Sequence, residues 1–376
     1  MRRKVLGLVV VLSLILAFSS LAGAANVIKI GGVGPLTGEV ATFGQSAHNG
    51  VKLAFDEVNA AGGVLGMRIE YIHEDNKGDA AETTNIVRKL IVRDRVSAIV
   101  GAIISANSLA AGPLAQQFRV PMISPTSTAD NVTSAGEYVF TACFKDSFQG
   151  QIMAQFAYND LGLRRVATLV NIASDYSIGL DKAFVETFEE LGGQVVVRES
   201  YNAGDQDFRA QLTKIRGQNP EAIYVPAYYT DVGLIARQAR QLGIDAPLLG
   251  PDGFDSPELV NIGGEAVYGS YFTNHYSIDD QSPRVQNFVK AYREAYGEEP
   301  ASFSALGYDT AMVLVDAIRR AGSADPRAIR DALAETKDLE VVTGMLSMDE
   351  NRNPIKSVAV LKVTPEKQEF VATVHP

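Results

Sequence analysis

The order strand, loop, helix, Gly-Gly, strand, helix, strand occurs twice in this chain, first over residues 27–100 and again over 165–225. In the first round, residues 27–33 read as a strand. Val51, Ala54, Phe55 and Val58 then recur at the i, i+3, i+4, i+7 spacing of one buried face, which predicts a helix over 46–60. Gly62-Gly63 stops it. A strand over 68–72, a helix over 80–92, a strand over 97–100, a helix over 107–118 and a short strand over 121–123 follow. In the second round, the strand at 165–170 leads to a helix over 177–191, with Leu180, Phe184, Phe188 and Leu191 on one face. Gly192-Gly193 stops that helix, and elements follow over 194–198, 207–216, 222–225 and 232–242. Such alternation implies an α/β chain whose mostly parallel sheets are covered on both faces. Its repetition implies two lobes, and 376 residues are enough to fill two cores.

The last third departs from the repeat. Val285, Phe288, Val289, Tyr292 and Tyr296 mark one helix; Tyr308, Ala311, Met312, Val315 and Arg319 mark a second. A third is expected over 325–334, with Pro326 in its first turn. Strands are expected over 341–348 and 358–363. These elements are too few for a third domain, so they are expected to complete the two lobes. The fold class is therefore two Rossmann-like lobes with parallel-sheet cores and three interlobe crossings, a hinge that opens without letting the lobes separate. The expected bounds are 26–145 plus 276–349 for lobe 1, and 146–275 plus 350–376 for lobe 2.

The first 24 residues read as an export signal. Met1-Arg2-Arg3-Lys4 is basic, residues 5–18 are almost unbroken apolar sequence, and Ala22-Gly23-Ala24 supplies the small residues of a cleavage site near Ala24. The apolar run is short for a membrane span. Position 24 is Ala, not Cys, so there is no thiol to lipidate. The single cysteine, Cys143, rules out an internal disulfide and reads as a small buried apolar residue. The formal net charge is −10 with no basic run after Lys4, which argues against a nucleic-acid partner.

No nucleophile elbow, phosphate loop or H-E-x-x-H is present, and nothing argues for catalysis. The four histidines (His48, His73, His275 and His375) show no metal-ligand spacing, and His73, at the end of a strand, is expected to be solvated. No metal or cofactor is expected. Binding chemistry is expected at the carboxyl ends of the strands, where loops lead into helices. Ser105 stands where a helix begins, so its hydroxyl and the free N–H groups around it can hold an anion. An ordinary helix cap is the other reading. Ser124-Pro125-Thr126-Ser127-Thr128 is a dense run of hydroxyls after the next strand, or else simply a polar turn. Asp252 in Gly250-Pro251-Asp252-Gly253 puts a carboxylate at a strand end of the second half. It either meets an ammonium group or is a solvated turn aspartate. Phe43 and Tyr176 stand before helices and Tyr228 follows a strand, as aromatic walls or as core.

At these positions the chain resembles the type I periplasmic binding proteins, in particular the leucine/isoleucine/valine-binding family of ABC-transporter solute-binding proteins. The resemblance runs through Gly34-Pro35-Leu36-Thr37-Gly38, Val58-Asn59-Ala60-Ala61-Gly62-Gly63, Ile123-Ser124-Pro125, residues 201–208 and Gly250-Pro251-Asp252-Gly253-Phe254. It implies a periplasmic monomer that binds a branched-chain or other neutral aliphatic amino acid by lobe closure and delivers it to permease subunits. It implies that Ser105, Thr126 and Thr128 meet the ligand carboxylate. Asp252 would then meet the ammonium beside Tyr176 and Tyr228, with Phe43 and Phe303 over the side chain. Gly78 and Ile104 stand where well-known members carry a disulfide beside the pocket. Related scaffolds take amides, urea-like molecules or aromatic acids, or serve as ligand-sensing modules in signalling, so those readings remain open on sequence.

Overall fold

A computed structural model describes residues 27–374, so the leader expected over 1–24 lies outside the described residues. The first round of the repeat forms β1 (Val27–Gly34), α1 (Ala41–Ala60), β2 (Arg68–Asp75), α2 (Ala80–Lys89), β3 (Ala98–Gly101), α3 (Ser105–Phe118), β4 (Met122–Ser124) and β5 (Val139–Thr141). The second forms α4 (Asp146–Gln155), β6 (Arg165–Asn171), α5 (Asp175–Glu190), β7 (Gln194–Tyr201), α6 (Arg209–Gly217), β8 (Ala222–Tyr224), α7 (Tyr229–Gln241), β9 (Leu248–Gly250), α8 (Pro257–Gly263) and β10 (Tyr271–Asn274). The last third adds α9 (Pro283–Tyr296), α10 (Ser302–Ala321), α11 (Pro326–Ala334), β11 (Leu339–Val341), β12 (Gly344–Leu346), β13 (Val358–Val363) and β14 (Gln368–Val374).

The two sheets wind alike. One runs β2-β1-β3-β4-β5, all parallel. The other contains the equivalent β7-β6-β8-β9-β10, also parallel, extended by β13 and β14 in antiparallel register. In each sheet the winding reverses beside its first strand, β1 or β6. That reversal opens a crevice at the carboxyl ends of the strands. The chain crosses between the lobes three times: after β5, after β10 and after β12.

The late helix α10 completes the first lobe. Ala311, Val313, Leu314, Val315, Ala317 and Ile318 pack with Ile28, Ile30, Ala98 and Val100 from β1 and β3. It lies unusually close to α1, because two glycines let the backbones touch. A Cβ on Gly50 would fall 1.9 Å from the Ser304 carbonyl oxygen, and one on Gly307 would fall 2.2 Å from that of Ala47. This approach lays the Phe303 ring on the Phe43 ring, centroids 4.3 Å apart.

Several boundaries differ from expectation. α1 begins at Ala41, not 46, and α5 at Asp175, not 177, so Phe43 and Tyr176 lie in first helical turns and not ahead of them. α1 starts without a side-chain cap, so no Ser or Asp marked its beginning. The stretch expected as one strand over 341–348 is a hairpin of β11 and β12, split by Gly344 at φ 112°. β2 continues to Asp75, which corrects the reading of His73 as solvated. It is half-buried, with its ring 4.5 Å from that of His48 and its Nδ1 2.9 Å from the Tyr71 hydroxyl. Burial first, and His48 next, push its pKa down to about 3. Cys143 is fully buried.

Candidate ligand-binding site

All eight residues singled out in the sequence line one enclosed cavity between the lobes. Phe43, Ser105, Thr126, Thr128 and Phe303 come from the first lobe, and Tyr176, Tyr228 and Asp252 from the second, with Ile103 and Ile104 completing the wall. The cavity holds about 10 Å³ of free space, far below the roughly 300–1,000 Å³ of sites for drug-sized molecules, so its two walls stand nearly closed on each other. Two wider grooves lie beside the crossings, one lined by His275 and Lys356 and the other by Asn274 and Ser302. The lobes are clasped across the cleft. The Tyr229 hydroxyl donates to the Glu39 carbonyl at 2.8 Å, the Thr42 and Ser256 hydroxyls lie 3.1 Å apart, and Ser302 N–H donates to Asp255 at 2.7 Å.

The first-lobe wall is made of neutral donors. Ser105 is the first residue of α3 and 3% exposed. It does not cap its own helix; its Oγ accepts from Ala129 N–H at 3.3 Å, leaving its own proton free to donate. The hydroxyl run after β4 largely bonds to itself. Ser124 Oγ donates to the Ala102 carbonyl and accepts from Ser127 N–H, and Ser108 and Ser127 share a 2.7 Å contact. The Thr126 hydroxyl donates to the Ile103 carbonyl at 2.7 Å, so it is spent on the loop. What the run offers the cavity is therefore less than its count of hydroxyls suggests, but it is rigidly held.

The second-lobe wall is built around Asp252, 2% exposed and not a solvated turn residue. Its Oδ1 accepts from the Tyr176 hydroxyl at 2.7 Å and from the Gln149 amide at 3.2 Å. Its Oδ2 has His275 Nε2 at 3.1 Å, leaving acceptor capacity on that oxygen. Gln149 is central. Its amide nitrogen also donates to Asp146, and its carbonyl oxygen accepts from Asp252 N–H and the Thr273 hydroxyl. Tyr176 and Tyr228 stack at 4.9 Å, and Tyr228 meets Phe43 edge-on at 5.7 Å. Burial, reinforced by Asp252 for Tyr176 and by Asp146 and Asp252 for Tyr228, holds both phenols well above their ordinary pKa, so they remain protonated donors.

Hydroxyls and N–H groups thus face a buried carboxylate across a small space floored by aromatic rings. The sequence profile of the periplasmic binding protein family matches residues 27–368. The chain belongs to the periplasmic binding protein family. It is 32% identical over 338 residues, 89% of each chain, to a leucine-, isoleucine-, valine-, threonine- and alanine-binding protein of Pseudomonas aeruginosa. Among solved structures, it is similar to a leucine-binding protein of Thermotoga maritima at 43% identity and a TM-score of 0.89, covering 93% of this chain and 99% of that one. It is also similar to a branched-chain amino acid transporter substrate-binding protein of Streptococcus pneumoniae, solved with isoleucine. The identity there is 38% and the TM-score 0.89, over 93% of this chain and 100% of the other. This places the chain with proteins that hold ligands and not with catalysts. Among the described residues, no group of three or more His, Cys, Asp or Glu side chains is placed to hold a metal ion.

Sequence reasoning missed Gln149 and His275 in this binding protein. Asp146 and Gln149, both fully buried, sit one turn apart on α4, a polar pair on a buried helix face. That pair was the one local signal. His275 carried none, because only tertiary folding brings it to Asp252.

Proposed function

We propose that this chain is the extracytoplasmic binding component of an ABC importer and that it captures a small neutral, branched-chain or similar aliphatic amino acid by lobe closure. The ligand carboxylate meets the Ser105 hydroxyl, the Thr128 hydroxyl and the backbone at Thr126, at the start of α3 where the helix dipole favours negative charge. The ammonium meets Asp252 Oδ2, with Tyr176 and Tyr228 beside it. The side chain lies against Phe43, Phe303, Ile103 and Ile104. The moving bodies are 26–145 with 276–349, and 146–275 with 350–376. The ligand drives closure only through contacts made in the closed state alone. The protein acts as a monomer in the periplasm after loss of its leader, and its closed form docks on permease subunits.

The observation that carries this reading is the cavity itself: neutral donors on one wall, a buried carboxylate on the other, and apolar rings between. That polarity matches a zwitterion with an apolar side chain. By their names, the Pseudomonas relative binds leucine, isoleucine, valine, threonine and alanine, the Thermotoga protein binds leucine, and the Streptococcus protein was solved with isoleucine. A thermal-shift panel tests it. At 100 times its dissociation constant a ligand adds about 2.7 kcal/mol of stability. L-leucine, L-isoleucine and L-valine are expected to raise the melting temperature, and neutral amides, urea and benzoate to leave it unchanged. A shift with amides or benzoate and none with the amino acids would sink the amino-acid assignment.

A further inference from the structure

His275 stands on the second crossing, immediately after β10, yet its side chain is fully buried against the cavity's second wall. Its ring stacks on Phe144 with centroids 3.9 Å apart and planes 18° from parallel. Phe144 belongs to the first crossing, between β5 and α4. The stack therefore joins two of the three strands of chain that link the lobes. The ring's Nε2 lies 3.1 Å from Asp252 Oδ2, while Nδ1 has no hydrogen-bond partner among the described residues.

A carboxylate only accepts hydrogen bonds, so this geometry selects the tautomer with its proton on Nε2. Burial lowers the imidazole pKa below 6.5 against the pull of Asp252, with Lys356 adding to the lowering and Asp255 opposing it. The ring is thus a neutral donor at neutral pH. It occupies one acceptor site on the same oxygen that has capacity left for an ammonium group.

We propose that His275 is a positioning residue for the ammonium site: its Nε2–H fixes the rotation of the Asp252 carboxylate and ties that carboxylate to the interlobe crossings. The inference rests on reading Asp252 as the ammonium anchor. Rotation of a carboxylate by even a small angle moves the free acceptor site away from a bound cation, and a donor on a stacked ring prevents it. The Tyr176 and Gln149 bonds hold Oδ1 from the second lobe alone; His275 supplies the hold from the hinge.

Calorimetric titration with L-isoleucine separates the roles of donor and ring. His275→Phe keeps a ring for Phe144 and loses the donor; His275→Gln keeps a donor and loses the ring. Affinity is expected to fall at least tenfold in H275F and to stay within threefold of the parent in H275Q. In the unaltered protein, nitrogen-15 spectra are expected to show an Nε2-protonated imidazole whose signal moves when isoleucine binds. Equal losses in both variants, full affinity in H275F, or a proton on Nδ1 would each overturn the assignment. Asp252→Asn, titrated in parallel, keeps two failures apart. If D252N binds isoleucine as the parent does, the reading of the ammonium site is wrong. If D252N is weak while H275F is not, only the role of His275 falls.

Discussion

In the first lobe, the loops and first helical turns after β1, β3 and β4 bring an aromatic ring, hydroxyls and N–H groups to the cavity, and no charged side chain. In the second, the equivalent loops and first turns after β6, β8 and β9 bring two tyrosines and a carboxylate. The same strand order thus carries two different solutions. In the proposed binding mode a negative group would be met by several neutral donors, none of which is costly to bury. A positive group would be met by one buried charge, which Tyr176, Gln149 and His275 hold in place. Spread donors tolerate loss; a single anchor does not.

The largest expected effect breaks the anchor. Removing one partner of a buried, hydrogen-bonded charge pair costs about 2–5 kcal/mol. At about 1.4 kcal/mol per tenfold, Asp252→Ala is expected to weaken amino-acid binding roughly 30-fold to several thousand-fold by calorimetry. A loss below fivefold would remove Asp252 from the site and with it the contrast between the lobes.

A smaller loss is expected on the opposite wall. A hydrogen bond to a charged group is worth about 1.5–3 kcal/mol, and the N–H groups around Ser105 survive its truncation. Ser105→Ala is expected to fall near the low end, about a tenfold loss, and to cost less than Asp252→Ala in the same titration. An equal or larger loss would show that the first lobe, too, relies on one residue.

The smallest effect on binding comes from proton uptake away from the cavity. In the first lobe, burial lowers the pKa of His48 and holds that of His73 near 3, against an ordinary 6.5. The unfolded chain therefore takes up these protons first on acidification. The associated stability is full above pH 6.5 and is lost as pH falls through the window between 6.5 and about 3 for His73. His275 shifts in the same direction in the second lobe. His73→Gln is expected to flatten the acid side of a melting-temperature profile, measured without ligand, and to leave its neutral side unchanged. An unaltered acid limb would mean that His73 is not the group that titrates.

The repeat and the strand ends were legible because they rest on local signals: apolar spacing, the Gly-Gly stops, and polar residues placed after β-rich runs. Ser105, Thr126, Thr128 and Asp252 could be picked out on those grounds. What they bond to could not. The Thr126 hydroxyl turns back onto Ile103, and Ser105 receives Ala129 in place of capping α3. Gln149 lies 103 positions before Asp252 in the chain, a distance that no periodicity bridges. The start of α1 was missed because burial of Phe43 against Phe303 extends the helix where no capping residue announces it.

The seam of Gly50 and Gly307 also sets an order of events during synthesis. Until residues 302–321 emerge, one face of the first sheet has only α1 to cover it, although the strands of that sheet are among the earliest made. Native contacts that span most of a chain form late. A nascent molecule therefore has a long interval in which the cleft between its lobes does not yet exist, and such an interval would suit a chain threaded through a membrane before it folds.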